Sequence, residues 1–131
     1  MNNLEGTISE IKTHGTLSLA TVLVGDQVLS VMLIDTPHSV DYLKKDHLVT
    51  VLFKETEVIL GKGQAEISIL NEMHAVVIGI EEGKLLSKVS LDSRGQIISS
   101  VLMTKSLKQL KLAVGDSVKA YVKSNEIMIS G

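Results

Sequence analysis

His14, His38, His47 and His74 are the chain's imidazoles, and no two stand at the His-x-x-x-His spacing that aims both rings at one metal ion. They read as surface or turn residues. Asp35, Asp41 and Asp46 surround His38 and Ser39, the residue types of a hydrolytic triad, yet no nucleophile elbow frames Ser39. No enzyme is expected from such a set. The absence of cysteine removes thiolate ligands, disulfides and a thiol nucleophile. Lys44-Lys45 and Lys105, Lys108 and Lys111 are short basic runs in a chain of net charge −2, which usually means solvated faces. With Phe53, Tyr42 and Tyr121 as the sole aromatics, a stacking platform for single-stranded nucleic acid is missing, and nucleic acid is not an expected partner. Hydroxyls and lysines remain: Thr36, Ser39 and Lys54 early in the chain, Ser106, Lys123 and Ser124 late. Taken singly these are ordinary capping residues and strand-end lysines.

The elements that position them are short and extended. Apolar residues alternate with polar ones through Leu4, Gly6 and Ile8, through Leu17 and Leu19, and through Val49, Val51 and Phe53, the period of two that marks strands. Turn signals separate the runs at His14-Gly15, Gly25-Asp26, Gly61-Lys62-Gly63, Glu82-Gly83, Ser93-Arg94-Gly95 and Gly115-Asp116. Hydrophobic residues make up 44% of the chain but aromatics 2%, so the interior must be Val, Ile, Leu and Met, a composition suited to sheets. Two segments break the period. Residues 37–43 follow Thr36 with a proline at the first helical position, and residues 105–110 follow Thr104; each predicts a short helix.

The chain also repeats itself. At an offset of 69 residues, Asn2 matches Asn71, Leu4 matches Met73, Ile8 matches Val77, Lys54 matches Lys123 and Leu60 matches Ile129. Around the helices the offset is 67, which pairs Ser39 with Ser106 and Leu43 with Leu110. The expected fold is all-β: two tandem OB-like five-stranded barrels, residues 1–63 and 64–131, each with a short helix between its third and fourth strands. Halves of this size sit near the lower limit for an independent core, which favours fusion or oligomerisation.

The string Asn-x-Leu-x-Gly-x-Ile-x-x-Ile at 2–11, then Thr36-x-x-Ser39-x-x-x-Leu43 and Val51-x-Phe53-Lys54-x-x-x-Val58-Ile59-Leu60, echoed from Asn71 to Ile129, resembles the Mop or molbindin family of the TOBE group. The resemblance implies binding of molybdate or tungstate between OB-like modules, usually six to an assembly, so that a two-module chain is expected as a trimer. It implies oxyanion contacts from Thr36, Ser39, Lys54, Ser68, Ser106, Lys123 and Ser124, with no organic cofactor and no direct protein ligand to the metal. This suits the chemistry, since a tetrahedral dianion accepts hydrogen bonds only and must be met by hydroxyls, amides and a cation.

The departures are specific. An Arg expected before Asn2 and Asn71 is absent, Met103 stands where the first half has Thr36, and Glu55 stands where the second has Ser124. A composite site joining Thr36 and Ser39 of one module to Lys123 and Ser124 of another follows as a possibility. No leader and no apolar run of membrane-spanning length is seen, so a cytoplasmic protein without a membrane partner is expected. Non-catalytic storage, homeostasis or sensing of the anion is the function so implied. The alternative is an oligomeric interaction or regulatory module whose anion site has degenerated.

Overall fold

The computed structural model describes all residues, 1–131. Ten strands are present: β1 Asn2–His14, β2 Leu17–Val24, β3 Gln27–Leu33, β4 Leu48–Phe53, β5 Ile59–Gly61, β6 Asn71–Glu82, β7 Leu86–Ser93, β8 Gln96–Met103, β9 Ser117–Val122 and β10 Met128–Ser130. One helix, α1, spans Thr104–Gln109, and two 3₁₀ turns, η1 (Glu55–Glu57) and η2 (Ser124–Glu126), precede β5 and β10. The strands form two five-stranded antiparallel sheets that repeat each other's order. Both long first strands carry a register shift at the same place, between Ile8 and Glu10 and between Val77 and Gly79.

The sheets exchange their last strands. The first runs β10-β4-β1-β2-β3 and the second β5-β9-β6-β7-β8. Thus β5, encoded before residue 64, pairs with β9 through Ile59 and Tyr121, while β10 pairs with β4 through Met128 and Leu52. The exchange merges the interiors into one cluster of 25 buried residues that includes Phe53, Val51, Leu91 and Ile129. At about 25 cal/mol per Å² of apolar area removed from water, sharing one interior relieves the poor surface-to-volume ratio of each half.

One expectation is corrected. Residues 37–43 form turns and no helix. Thr36 O accepts from Ser39 N (3.0 Å) and Val40 N (3.2 Å), and Ser39 Oγ accepts from Thr36 N (2.8 Å) and donates to Thr36 O (2.9 Å). The serine hydroxyl satisfies the groups that a further turn would use, a local competition with helix propagation. The next backbone bond, Lys44 N to Tyr42 O at 2.9 Å, is not helical, and Leu43 is nonetheless fully buried. In β2 the alternation holds, but Leu17, Leu19 and Leu23 face out while Ser18, Ala20, Val22 and Val24 face the core. With both faces partly apolar, the period alone does not choose a side.

Candidate functional site

The chain leaves β4 and β9 in the same way. Lys54 (φ −69°, ψ 144°) and Lys123 (φ −65°, ψ 143°) each hold the extended residue that opens a 3₁₀ turn. Both side chains are exposed, and neither joins an ion pair. The strand exchange then presses η1 onto β8 and η2 onto β3, the edge strands of the opposite sheets.

Each packed turn is thereby set against an edge strand that leads on to a hydroxyl-bearing segment. Strand β3, against which η2 packs, leads on in the chain to the Thr36–Ser39 turn. Strand β8, against which η1 packs, leads into α1 with its half-buried Ser106. A groove of about 650 Å³ lies between η1 and α1, lined by Thr56 and Ser106 but mostly by apolar side chains such as Leu86, Met103 and Leu110. Lys54 does not line it. Ser68 is exposed in the connector between β5 and β6. Within one chain, of the seven residues only Ser106 lines this groove, and they do not close around a common cavity.

Polar surroundings differ between the corners. Ser124 is half-buried and its hydroxyl has no partner in the chain. Glu55, at the matching place, is 26% exposed; its Oε1 accepts from the Met1 ammonium at 3.2 Å, and Oε2 lies 3.7 Å from Lys88 Nζ. Oε2 itself is shut off from solvent without a hydrogen bond. The Met1 ammonium, with Lys88 beside it, holds the Glu55 carboxyl below the usual carboxylate range although burial pushes it up. The role of Lys88 was not visible in the sequence, because 33 positions separate it from Glu55 and no local spacing links them.

Two further contacts brace the corners. Asn2 and Asn71, first residues of β1 and β6, clasp the backbone of Ser99 and Ser30 on the edge strands with Asn side-chain amides. Gln27 Nε2 donates to Ser93 Oγ at 3.0 Å, and Ser93 Oγ lies 2.7 Å from His74 O, in the buried seam between the sheets. The repeated Asn was legible; its target was not.

Residues 67–129 match the model of the TOBE domain. No curated protein matches the sequence. Among solved structures, the cytoplasmic molybdate-binding protein ModG, in a form with molybdate bound, is similar over 98% of this chain and 94% of its own, with a TM-score of 0.92 at 23% identity. That likeness is one of fold: all-β, with two sheets. A molybdate binding protein from Sporomusa ovata is similar at 30% identity and a TM-score of 0.50, covering 51% of this chain and 100% of its own. No helix of the chain is long and apolar enough to cross a membrane.

Proposed function

We propose that this chain, which belongs to the Mop family of TOBE-type proteins, binds molybdate or tungstate without transforming it. The observation that carries the reading is the matched pair of corners: Lys54 and Lys123, with the same backbone conformation, exposed and outside any ion pair, each open a 3₁₀ turn packed on an edge strand that leads to a hydroxyl-bearing segment. An acceptor-only dianion calls for such donors. Thr36, Ser39, Lys123 and Ser124 make one composite corner; Lys54 and Ser106 make the other, with Ser68 approaching from the connector.

The repeat units 1–63 and 64–131 act as tandem modules in this reading. Exposed corners hold a dianion tightly only when a second copy covers them, because desolvation strengthens each charge-assisted bond. A homotrimer of six modules supplies that cover. The outer face of β2 and β3, where Leu19, Leu23, Val28 and Met32 are exposed, is the apolar surface such an assembly would bury. A cytoplasmic storage, homeostasis or sensing role follows in this reading; ModG, similar in fold, is a cytoplasmic molybdate-binding protein. The Glu55 carboxylate favours a second reading, an interaction module with a degenerate site.

Equilibrium dialysis of the full chain against molybdate, tungstate and sulfate, read by elemental analysis beside the solution mass, tests both. Uptake of the first two over sulfate is expected; a stable trimer that takes up none of them overturns the binding function.

A further inference from the structure

The two corners occupy equivalent places in the fold and differ in charge. Lys88 on β7 pairs with Glu81 and Val101. Its counterpart 69 residues earlier, Leu19 on β2, pairs with Lys12 and Met32 in the same register. One corner thus holds Lys54, Glu55, Lys88 and the Met1 ammonium, and the other Lys123, Ser124 and Leu19. In the first a carboxylate is already seated: Oε2 sits 3.7 Å from the Lys88 ammonium, removed from water, with no hydrogen-bond donor of its own. An oxygen so placed satisfies the cation as a bound anion's oxygen does, and an uncompensated buried acceptor is costly unless charge holds it there.

We infer that Glu55 is a built-in anion that closes the Lys54 corner, so that each chain takes oxyanion at the Lys123-Ser124 corner alone. A dianion arriving beside Lys54 meets the Glu55 carboxylate on the next residue, whose two oxygens already engage the Met1 and Lys88 ammonium groups that the anion would need. At Lys123 it meets an uncharged hydroxyl with no competing partner. Sequence duplication produced two corners, and one substitution with its partner lysine leaves a single open one. This inference rests on the oxyanion-binding function proposed above.

The test is molybdate bound per full chain, by equilibrium dialysis and by calorimetry, for the parent and for Glu55→Ser. Removing the carboxylate frees Lys88 and gives the first corner the serine of the second; the equivalence of the two corners makes the expected gain in bound molybdate about twofold. Glu55→Gln, which keeps the side-chain length and removes the charge, repeats the measurement if the serine variant loses its fold. Uptake by the parent with unchanged stoichiometry in the folded variant overturns the inference alone. No uptake by parent or variant overturns it together with the binding function, and uptake by the variant alone overturns the open Lys123-Ser124 corner and the parent's binding function with it.

Discussion

The side-chain amide of Asn71 pairs with the backbone of Ser30 as a neighbouring strand would: Oδ1 accepts from Ser30 N at 2.7 Å and Nδ2 donates to Ser30 O at 2.9 Å. Asn2 does the same to Ser99, at 2.8 and 2.9 Å. Ser30 and Ser99 lie on edge strands, whose unpaired groups otherwise need water or another chain. Asn71→Ala leaves both Ser30 groups unpaired under partial burial and is expected to cost about 1–3 kcal/mol, measured by urea unfolding. A midpoint unchanged from the parent would show that water replaces the amide.

Gly6 is required by a close approach rather than by its dihedrals. A Cβ there would stand 2.6 Å from Val22 Cγ1 and 2.7 Å from Leu23 O, and the backbone oxygen cannot step aside. Gly6→Ala should therefore destabilise by about 1–3 kcal/mol. Gly79, at the register shift of β6, has Ser90 Cβ at 3.7 Å as the nearest atom a Cβ would meet. Gly79→Ala is expected to fall between neutral and a gain of about 1 kcal/mol, as the unfolded chain loses freedom. Thermal melts of the two variants in parallel check the contrast.

The binding function makes Lys123 and Ser124 sensitive positions. Lys123→Ala removes a charge-assisted contact of about 1.5–3 kcal/mol and should weaken molybdate binding about tenfold or more. Ser124→Ala should act in the same direction and more weakly. Calorimetry beside circular dichroism, which confirms that both variants keep the fold, decides; unchanged affinity in Lys123→Ala removes that lysine from the site.

Acid should loosen the structure through three carboxylates. Glu55 is held low by the Met1 ammonium and Lys88, Glu72 by a hydrogen bond from Lys119, and Asp116 by the backbone N–H of Ala113 and by Lys62. Groups depressed in the folded state add stability above their ordinary values, 4.5 for the glutamates and 3.8 for Asp116, and lose it as pH falls through the lowered ones. Lys119 is raised by Glu72, so its contribution is complete below 10.5 and disappears as pH climbs through the folded value. The pairs are only partly buried, so the effects are small and screened by salt. Melting temperatures from neutral pH down to pH 3, with and without added salt, should show the decline; Glu72→Gln should flatten it.

The repeat, the strands and their turns could be read from residue order, because alternation and glycine placement are local. The Arg94-Gly95 turn, with φ of 50° and 90°, is the tight hairpin that its residues announce. Partner choice was hidden. Val58 and Leu60 are as apolar as Ile127 and Ile129, so either sheet satisfies either short strand, and nothing in three residues says which. The turn at Thr36 was hidden for a related reason: its capping signal is genuine, but Ser39 answers that signal within one turn. Glu55 was visible as a misplaced charge, whereas the lysine that accommodates it is brought by β7 from the opposite sheet.

The strand exchange also sets an order of events during synthesis. All strands of the second sheet lie between residues 59 and 122, an unbroken stretch, whereas the first sheet needs residues 2–53 and then 128–130. A nascent chain emerging from the ribosome can complete the later-encoded sheet while the earlier one still waits with one flank of β4 open. Its final pairing, β10 onto β4, joins Met128 to Leu52 and carries the largest loop-closure cost of any strand pairing in the molecule. The earliest-made residues are thus the last to be sealed, and a chaperone would find its hydrophobic target there.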